Sequence, residues 1–212
     1  MQSKLIEMFN LQNTLNTNTN GSEWTKGITL QGRTINWYRC IYMEAAEAID
    51  SLNWKHWKDI NSSDDIENVK IELVDIWHFI MSQLIVEHGF NEAIKYSLKI
   101  YSDTSHMTIN TELVDTLEGM IRRAAMQYIP LGDFFVAVRQ LSDFTMDDVY
   151  TLYIGKNCLN QFRQDNGYKD GTYTKIWNGQ EDNVHMQKII NNNPNITYNE
   201  LYAALEETYK QI

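Results

Sequence analysis

The chain has 212 residues, 43% of them hydrophobic and 12% aromatic, enough to bury one sizeable core or a core with a small appendage. Its net charge of -10 argues against sequence-independent binding to a nucleic-acid duplex, which needs clustered positive charge. Two prolines and ten glycines among long helix-favouring runs argue against a sandwich or barrel and predict an all-α protein.

Cys40 and Cys158 fit neither a disulfide framework nor a Cys/His metal spacing. No apolar run reaches the ~18 residues of a membrane span, and Met1 to Leu11 lacks the positive-then-apolar order of a leader. The expectation is a soluble cytoplasmic protein with no membrane partner.

Leu5, Ile6, Phe9 and Leu15 predict a helix over 5–16, stopped by Asn18, Asn20 and Gly21, and the polar stretch 21–34 reads as loop. Over 35–52, Tyr38, Ile41, Tyr42, Ala45, Ile49 and Leu52 form one apolar stripe with Glu44 and Glu47 at its side. An aromatic link, Trp54-Lys55-His56-Trp57-Lys58, leads to a turn at 61–65, where Asp64 and Glu67 resemble a capping pair. The helix expected over 66–88 is the most apolar in the chain: eleven of the sixteen residues from Ile71 to Val86 are apolar. Its polar residues Glu72, Asp75, His78 and Ser82 fall within about a third of the helical circumference. So narrow a stripe, on a helix too apolar for one neighbour to cover, belongs in an interior or at a subunit interface and faces an internal site.

Further helices are predicted over 91–101, 111–127, 132–141, 145–164 and 198–211. Neither joint between them, 107–111 or 128–131, is long enough for a flexible interdomain linker, so a single domain is expected. The segment 155–183 differs in composition, with four of the ten glycines and with Lys156, Arg163, Lys169 and Lys175 spaced through it.

Glu44 with Glu47, and Glu72 with Asp75, are each three residues apart, a step that puts both side chains on one helical face. Four carboxylates converging from two helices repel one another unless a hard divalent cation sits between them, and Mg²⁺ takes such oxygen ligands while leaving positions for water and phosphate. A single ExxE pair is more often a solvated face. Here the second pair lies in the most apolar helix, where unpaired carboxylates cost several kcal/mol each. Asp75 and His78 also form the carboxylate-x-x-His step of di-iron bundles, which need such a motif on each of two helices. Magnesium is the reading preferred, with His78 facing substrate or satisfied in the core.

The segment 155–183 then supplies a cationic counterpart. Arg163 suits bidentate contact with phosphate, Lys175 acts as a point charge, and Gly167, Gly171 and Gly179 permit the turns that bring backbone close. It is not a P-loop, because Gly155-Lys156 is followed by Asn157 and lacks the upstream glycine. Trp57 and Phe79, near the acidic pairs, offer stacking faces, and Gln12 and Asn16 offer amides able to read a base edge. Taken alone, the two aromatics are ordinary core residues.

Several segments together resemble the dimeric all-α dUTPases, a branch of the all-α nucleoside triphosphate pyrophosphohydrolases. They are Leu11-Gln12 through Asn16, Met43-Glu44-Ala45-Ala46-Glu47, the Trp54 to Lys58 link, Glu72-Leu73-Val74-Asp75-Ile76-Trp77-His78-Phe79, and nearly all of 155–183. The pieces Gly155-Lys156-Asn157, Leu159-Asn160, Phe162-Arg163-Gln164, Gly167-Tyr168-Lys169 and Glu181-Asp182-Asn183 are the most specific. The middle, 91–144, carries little that aligns. The resemblance implies Mg²⁺-dependent hydrolysis of dUTP and dUDP to dUMP in a homodimer that shares helices across its interface. It further implies that Glu44, Glu47, Glu72 and Asp75 hold metal, with Glu44 or Glu47 as the base. Gln12, Asn16, Trp57, His78 and Phe79 would form the uracil pocket, and Asn160, Arg163, Tyr168, Lys175 and Asn183 would hold sugar and phosphates as a lid closes. The competing readings are a relative preferring another pyrimidine, such as dCTP, and a catalytically silent helical nucleotide-binding protein.

Overall fold

The computed structural model describes residues 1–59, 61–194 and 196–211. In chain order the elements are α1 (Gln2–Asn20), a 3₁₀ turn (Trp24–Lys26), α2 (Trp37–Asp50), α3 (Ile66–His88), α4 (Phe90–Ser105), α5 (Leu113–Ala125), α6 (Leu131–Gln140), α7 (Met146–Asp165), β1 (Ile176–Trp177), β2 (Gln180–Glu181), α8 (Asp182–Asn192) and α9 (Tyr198–Tyr209). The fold is all-α: among the described residues the sheet is one antiparallel pair of two-residue strands, Ile176 opposite Glu181 and Trp177 opposite Gln180. The chain divides into two compact units, Met1–Val149 and Tyr150–Ile212.

In the first unit α3 is the central rod. It packs against α1, α2, α4 and α6, while α2 also packs on α5. This accounts for its wide apolar arc, with Val69, Leu73, Val74, Ile76, Trp77, Ile80, Met81 and Leu84 all fully buried. Trp77 stacks on Phe134 at 4.9 Å and 13°, takes the edge of Phe9 at 6.1 Å, and donates its indole N–H to Met8 Sδ at 3.3 Å. The helix begins at Asp65, whose side chain accepts from the Asn68 amide at 3.0 Å. The cap therefore falls one residue after the expected Asp64, which instead accepts from the Asn53 amide at 2.6 Å and fastens the preceding link.

In the second unit α8, α9 and the small hairpin close around Phe162, Trp177, Met186, Ile190, Leu201 and Leu205. Phe162 meets Trp177, Tyr173, Tyr202 and Tyr209 edge-on, at centroid distances of 5.4 to 6.3 Å. Helix α8 was not predicted: its buried Met186 and Ile190 have polar Gln187 and Lys188 between them and are followed by Asn191 to Asn193, which leaves a weak apolar stripe. Gly155 serves this packing rather than a turn. A Cβ there would sit 2.5 Å from Ile190 Cδ1 and 3.2 Å from Met186 Sδ, so its absence lets α8 approach α7. Gly167, Gly171 and Gly179, by contrast, adopt positive φ and make the turns expected of them.

Candidate active site

Where α2 packs on α3, Glu44, Glu72 and Asp75 each bring a carboxylate oxygen within 4.8 Å of the others. Glu72 is buried and Glu44 and Asp75 are half-buried. Burial, then the charges of Asp75 and Glu72, a hydrogen bond with Glu72 and the charge of Glu47 push the Glu44 carboxyl up to about 8. The donor set fits a hard divalent ion. Two ligands of one ion lie at most ~4.2 Å apart around Mg²⁺ and ~5.2 Å around Ca²⁺, so small rotamer adjustments close these oxygens onto a single cation. Its charge removes the repulsion that holds a proton on Glu44.

Glu47 lies outside this trio. It is exposed, nearly one turn further along α2, and close enough to contribute to the raised Glu44. Asn68 stands behind Glu72: its Nδ2 donates to Glu72 Oε1 at 3.1 Å and to Ser51 Oγ at 2.8 Å, and Ser51 Oγ in turn donates to the Glu47 carbonyl at 3.0 Å. Residue-by-residue reading missed Asn68, although its place four residues before Glu72 on the helix is the available signal. Two other carboxylate-x-x-His steps, Asp103 with His106 and Asp182 with His185, have other roles. Asp103 pairs with Lys99, and His185 Nε2 donates to the Trp177 carbonyl at 2.9 Å.

Further along α3, His78 and Ser82 meet Gln12 and Asn16 of α1 in a buried polar cluster. Gln12 Nε2 donates to Ser82 Oγ at 3.1 Å and to Asn16 Oδ1 at 3.2 Å, Asn16 Nδ2 donates to Ser82 Oγ at 2.8 Å, and Gln12 Oε1 meets His78 Nδ1 at 2.6 Å. Three of the expected base-reading residues, Gln12, Asn16 and His78, are thus together, joined by Ser82. Phe79, half-buried, stacks on Trp37 at 5.9 Å. Trp57 is 62% exposed and packs edge-on against Trp54 and His56 in the α2–α3 link.

The expected sugar and phosphate residues lie in the second unit and fall into two groups. Arg163 donates through Nε and Nη2 to both oxygens of Asp182, at 2.8 and 2.7 Å, and through Nη1 to Asn160 Oδ1 at 3.0 Å. Lys156 Nζ donates to Asn183 Oδ1 at 3.1 Å, and Tyr173 donates its hydroxyl to Asp182 at 2.8 Å. Tyr168 and Lys175 form an exposed cation–π pair at 5.7 Å. Asp182, fully buried, is a second residue whose role sequence reasoning missed; a buried arginine calls for such a carboxylate, but nothing in the spacing points nineteen residues ahead.

An all-α fold with a trio of carboxylates on two packed helices, beside a buried cluster in which amides of α1 meet His78 and Ser82 of the central helix, fits the class of all-α nucleoside triphosphate pyrophosphohydrolases. A family model described as dUTPase matches residues 4–168, and the chain belongs to that family, the dimeric all-α dUTPases. Its activity is that of a dUTP diphosphatase acting on a nucleotide substrate with a divalent metal. No curated protein matches the chain. Among the described residues, no helix is long and apolar enough to cross a membrane.

Proposed function

We propose that this dUTPase hydrolyses dUDP as well as dUTP to dUMP, in the cytoplasm and as a homodimer sharing helices across its interface, with Mg²⁺ as its metal. The observation that carries the metal assignment is the Glu44, Glu72 and Asp75 trio, in which burial and then the neighbouring carboxylates raise Glu44 to about 8. Glu47 joins the trio as the fourth acidic residue of the site. When bound, the ion neutralises charge developing on the transferred phosphoryl group.

The chain's own residues do the remaining work. Water attacks phosphorus, its oxygen forming the new P–O bond as the bridging P–O bond to the leaving group breaks. The proton passes to Glu44 or Glu47, of which exposed Glu47 is the more accessible to solvent. Gln12, Asn16 and His78 read the uracil edge, with Phe79 and Trp57 supplying aromatic faces. Asn160, Arg163, Tyr168, Lys175 and Asn183 hold sugar and phosphates, with 155–183 acting as a lid of a single functional domain. No duplex nucleic acid or membrane is a partner, in keeping with the net charge of -10.

Turnover of dUTP and dUDP, measured beside dCTP and dTTP with and without Mg²⁺, tests this reading. Strong preference for the uracil nucleotides is expected, and equal rates on dCTP overturn the base assignment. Glu47→Ala and Asp75→Ala should each abolish hydrolysis with the helical circular dichroism unchanged; retained turnover removes the proposed metal site.

A further inference from the structure

Phe79 follows Asp75 by four residues and Glu72 by seven, so it shares a face of α3 with two carboxylates of the trio. Its ring is half-buried, and an indole stacks on it: Trp37, the first residue of α2, has its ring centroid 5.9 Å from that of Phe79 and its plane 26° from parallel. Trp37 precedes Glu44 by seven residues, again on one helical face. The same two helices therefore meet twice along one seam, at the carboxylates and, about two turns away along α2, at the aromatic stack.

Trp37 is buried and is itself held from behind. Trp24, also buried, meets it edge to face, with centroids 6.1 Å apart and planes at 82°. Trp24 opens the 3₁₀ turn, and Gly27, at φ +78°, closes it by donating its amide to the Trp24 carbonyl at 3.0 Å. The Gly27 carbonyl in turn accepts from the Ile35 amide at 2.8 Å, and the Asn36 side chain caps α2 by accepting from the Arg39 amide at 2.9 Å. The stretch 21–35, which contributes no residue to the proposed site, is in this way built around the seat of one indole. A ring stacked on a fixed indole cannot turn about its side-chain torsions without giving up that contact, so the surface it still exposes keeps one orientation.

We propose that Trp37 is a positioning residue for base binding: stacked on Phe79 and backed by Trp24, it fixes the Phe79 ring in the attitude that receives the base, in register with the carboxylates along the same helix pair. This rests on the reading that sets Phe79 against uracil. A ring face carries no information about a base edge, because every base has a π face. Trp37 therefore contributes affinity and leaves the choice between uracil and cytosine to polar groups. Helix α2 has anchorage besides the indole, since Ile41, Ala45 and Ala48 are fully buried and the Tyr38 hydroxyl donates to Glu87 of α3.

The test uses steady-state kinetics of the full chain at saturating Mg²⁺. Trp37→Leu, which removes the ring and keeps apolar volume, should raise KM for dUTP roughly fivefold, the contribution of about one aromatic pair, with kcat little changed. The Mg²⁺ concentration for half-maximal activity, the preference for dUTP over dCTP and the helical circular dichroism should stay as in wild type. Trp37→Phe, which returns a ring, should recover most of the lost affinity. In a Phe79→Leu background, adding Trp37→Leu should move KM no further. An unaltered KM in Trp37→Leu overturns the proposal, as does a uracil preference that collapses with the indole, or a Trp37→Leu effect that persists in full without Phe79. Trp37→Met repeats the test should the leucine variant lose helical circular dichroism. Failure of the uracil reading looks different: Phe79→Leu alone then leaves KM for dUTP unchanged and both readings fall, whereas failure of the Trp37 proposal by itself leaves the Phe79→Leu effect in place.

Discussion

Asp182→Ala should be the most damaging single substitution in the second unit. The carboxylate is fully buried and accepts four hydrogen bonds: Arg163 Nε at 2.8 Å, Arg163 Nη2 at 2.7 Å, the Tyr173 hydroxyl at 2.8 Å and the Asn183 amide at 2.8 Å. Removing it takes from the buried guanidinium of Arg163 the carboxylate that accepts two of its hydrogen bonds, a change that costs about 3–5 kcal/mol in comparable buried pairs. At the usual per-residue stability a unit of this size holds roughly 3–9 kcal/mol, so the variant should bring α8 and α9 close to unfolding. Amide hydrogen exchange read by mass spectrometry checks this: protection across 182–192 and 198–209 should collapse while 66–88 in α3 exchanges as in wild type. Asp182→Asn, which keeps the shape and one acceptor, should lose less. The effect has a pH signature. Burial alone would raise the Asp182 carboxyl, but the hydrogen bonds and charge of Arg163, with Tyr173 and the Asn183 amide, outweigh it and hold the group below its ordinary value. Its stabilisation is therefore present above the unfolded value of ~3.9 and is lost as pH falls through the lower folded value, so wild type and variant should converge in stability in that acid range. A loss within about 1 kcal/mol at neutral pH, or exchange that rises in α3 instead, would refute the assignment of Arg163 and Asp182 as the pin of this unit.

Four further outcomes follow from the first unit. Divalent-metal affinity, measured by calorimetry in buffers of different ionisation enthalpy, should rise with pH up to about 8 with uptake of close to one proton by buffer per ion bound, because binding must displace the proton from Glu44; pH-independent affinity would contradict the raised carboxyl. Because that folded value lies above the ordinary one, the metal-free protein should lose stability as pH rises from about 4.5 to about 8, and added cation should restore it. Asn68→Ala, which removes the donor behind Glu72 Oε1, should weaken Mn²⁺ binding seen by paramagnetic resonance about tenfold or more, with kcat at saturating metal less affected. Trp77→Ala, at a fully buried ring stacked on Phe134, should cost about 3–5 kcal/mol in urea unfolding.

The parts legible in the sequence are those governed by local rules. Helix α3 runs over the residues that its periodicity predicts, because a wide apolar arc ended by Gly89 leaves no alternative, and α2 differs from expectation by two residues at each end. Helix α8 escaped because asparagines dilute its stripe and because its docking depends on Gly155, a residue the sequence offers equally as a turn. In the site, spacing puts Glu44 and Glu47 on one face of α2, but the neighbouring helix decides which leans inward: Glu44 joins Glu72 and Asp75, and Glu47 stays exposed. The Arg163–Asp182 pair lies beyond pattern reading for a similar reason. An arginine in a glycine-bearing segment looks like a phosphate ligand until burial shows how much of its guanidinium faces an internal carboxylate.

Ser82 stands out on the polar stripe of α3 only after the two halves of that stripe are compared. Glu72 and Asp75 lie near its N-terminal end and His78 and Ser82 one to two turns on, so about 10 Å of helix axis separates Asp75 from Ser82. Both halves ride on the rod that four other helices bury, and neither can move along α3 relative to the other. In the proposed assignment this makes α3 a ruler between the phosphate end and the base end of the nucleotide: metal ligands and base-reading groups keep a fixed separation however the rest of the site adjusts. The narrowness of the stripe is then a requirement. Each added polar position would expose backbone-adjacent volume that Trp77, Ile80 and Met81 now fill, and would loosen the packing that holds the two ends in register.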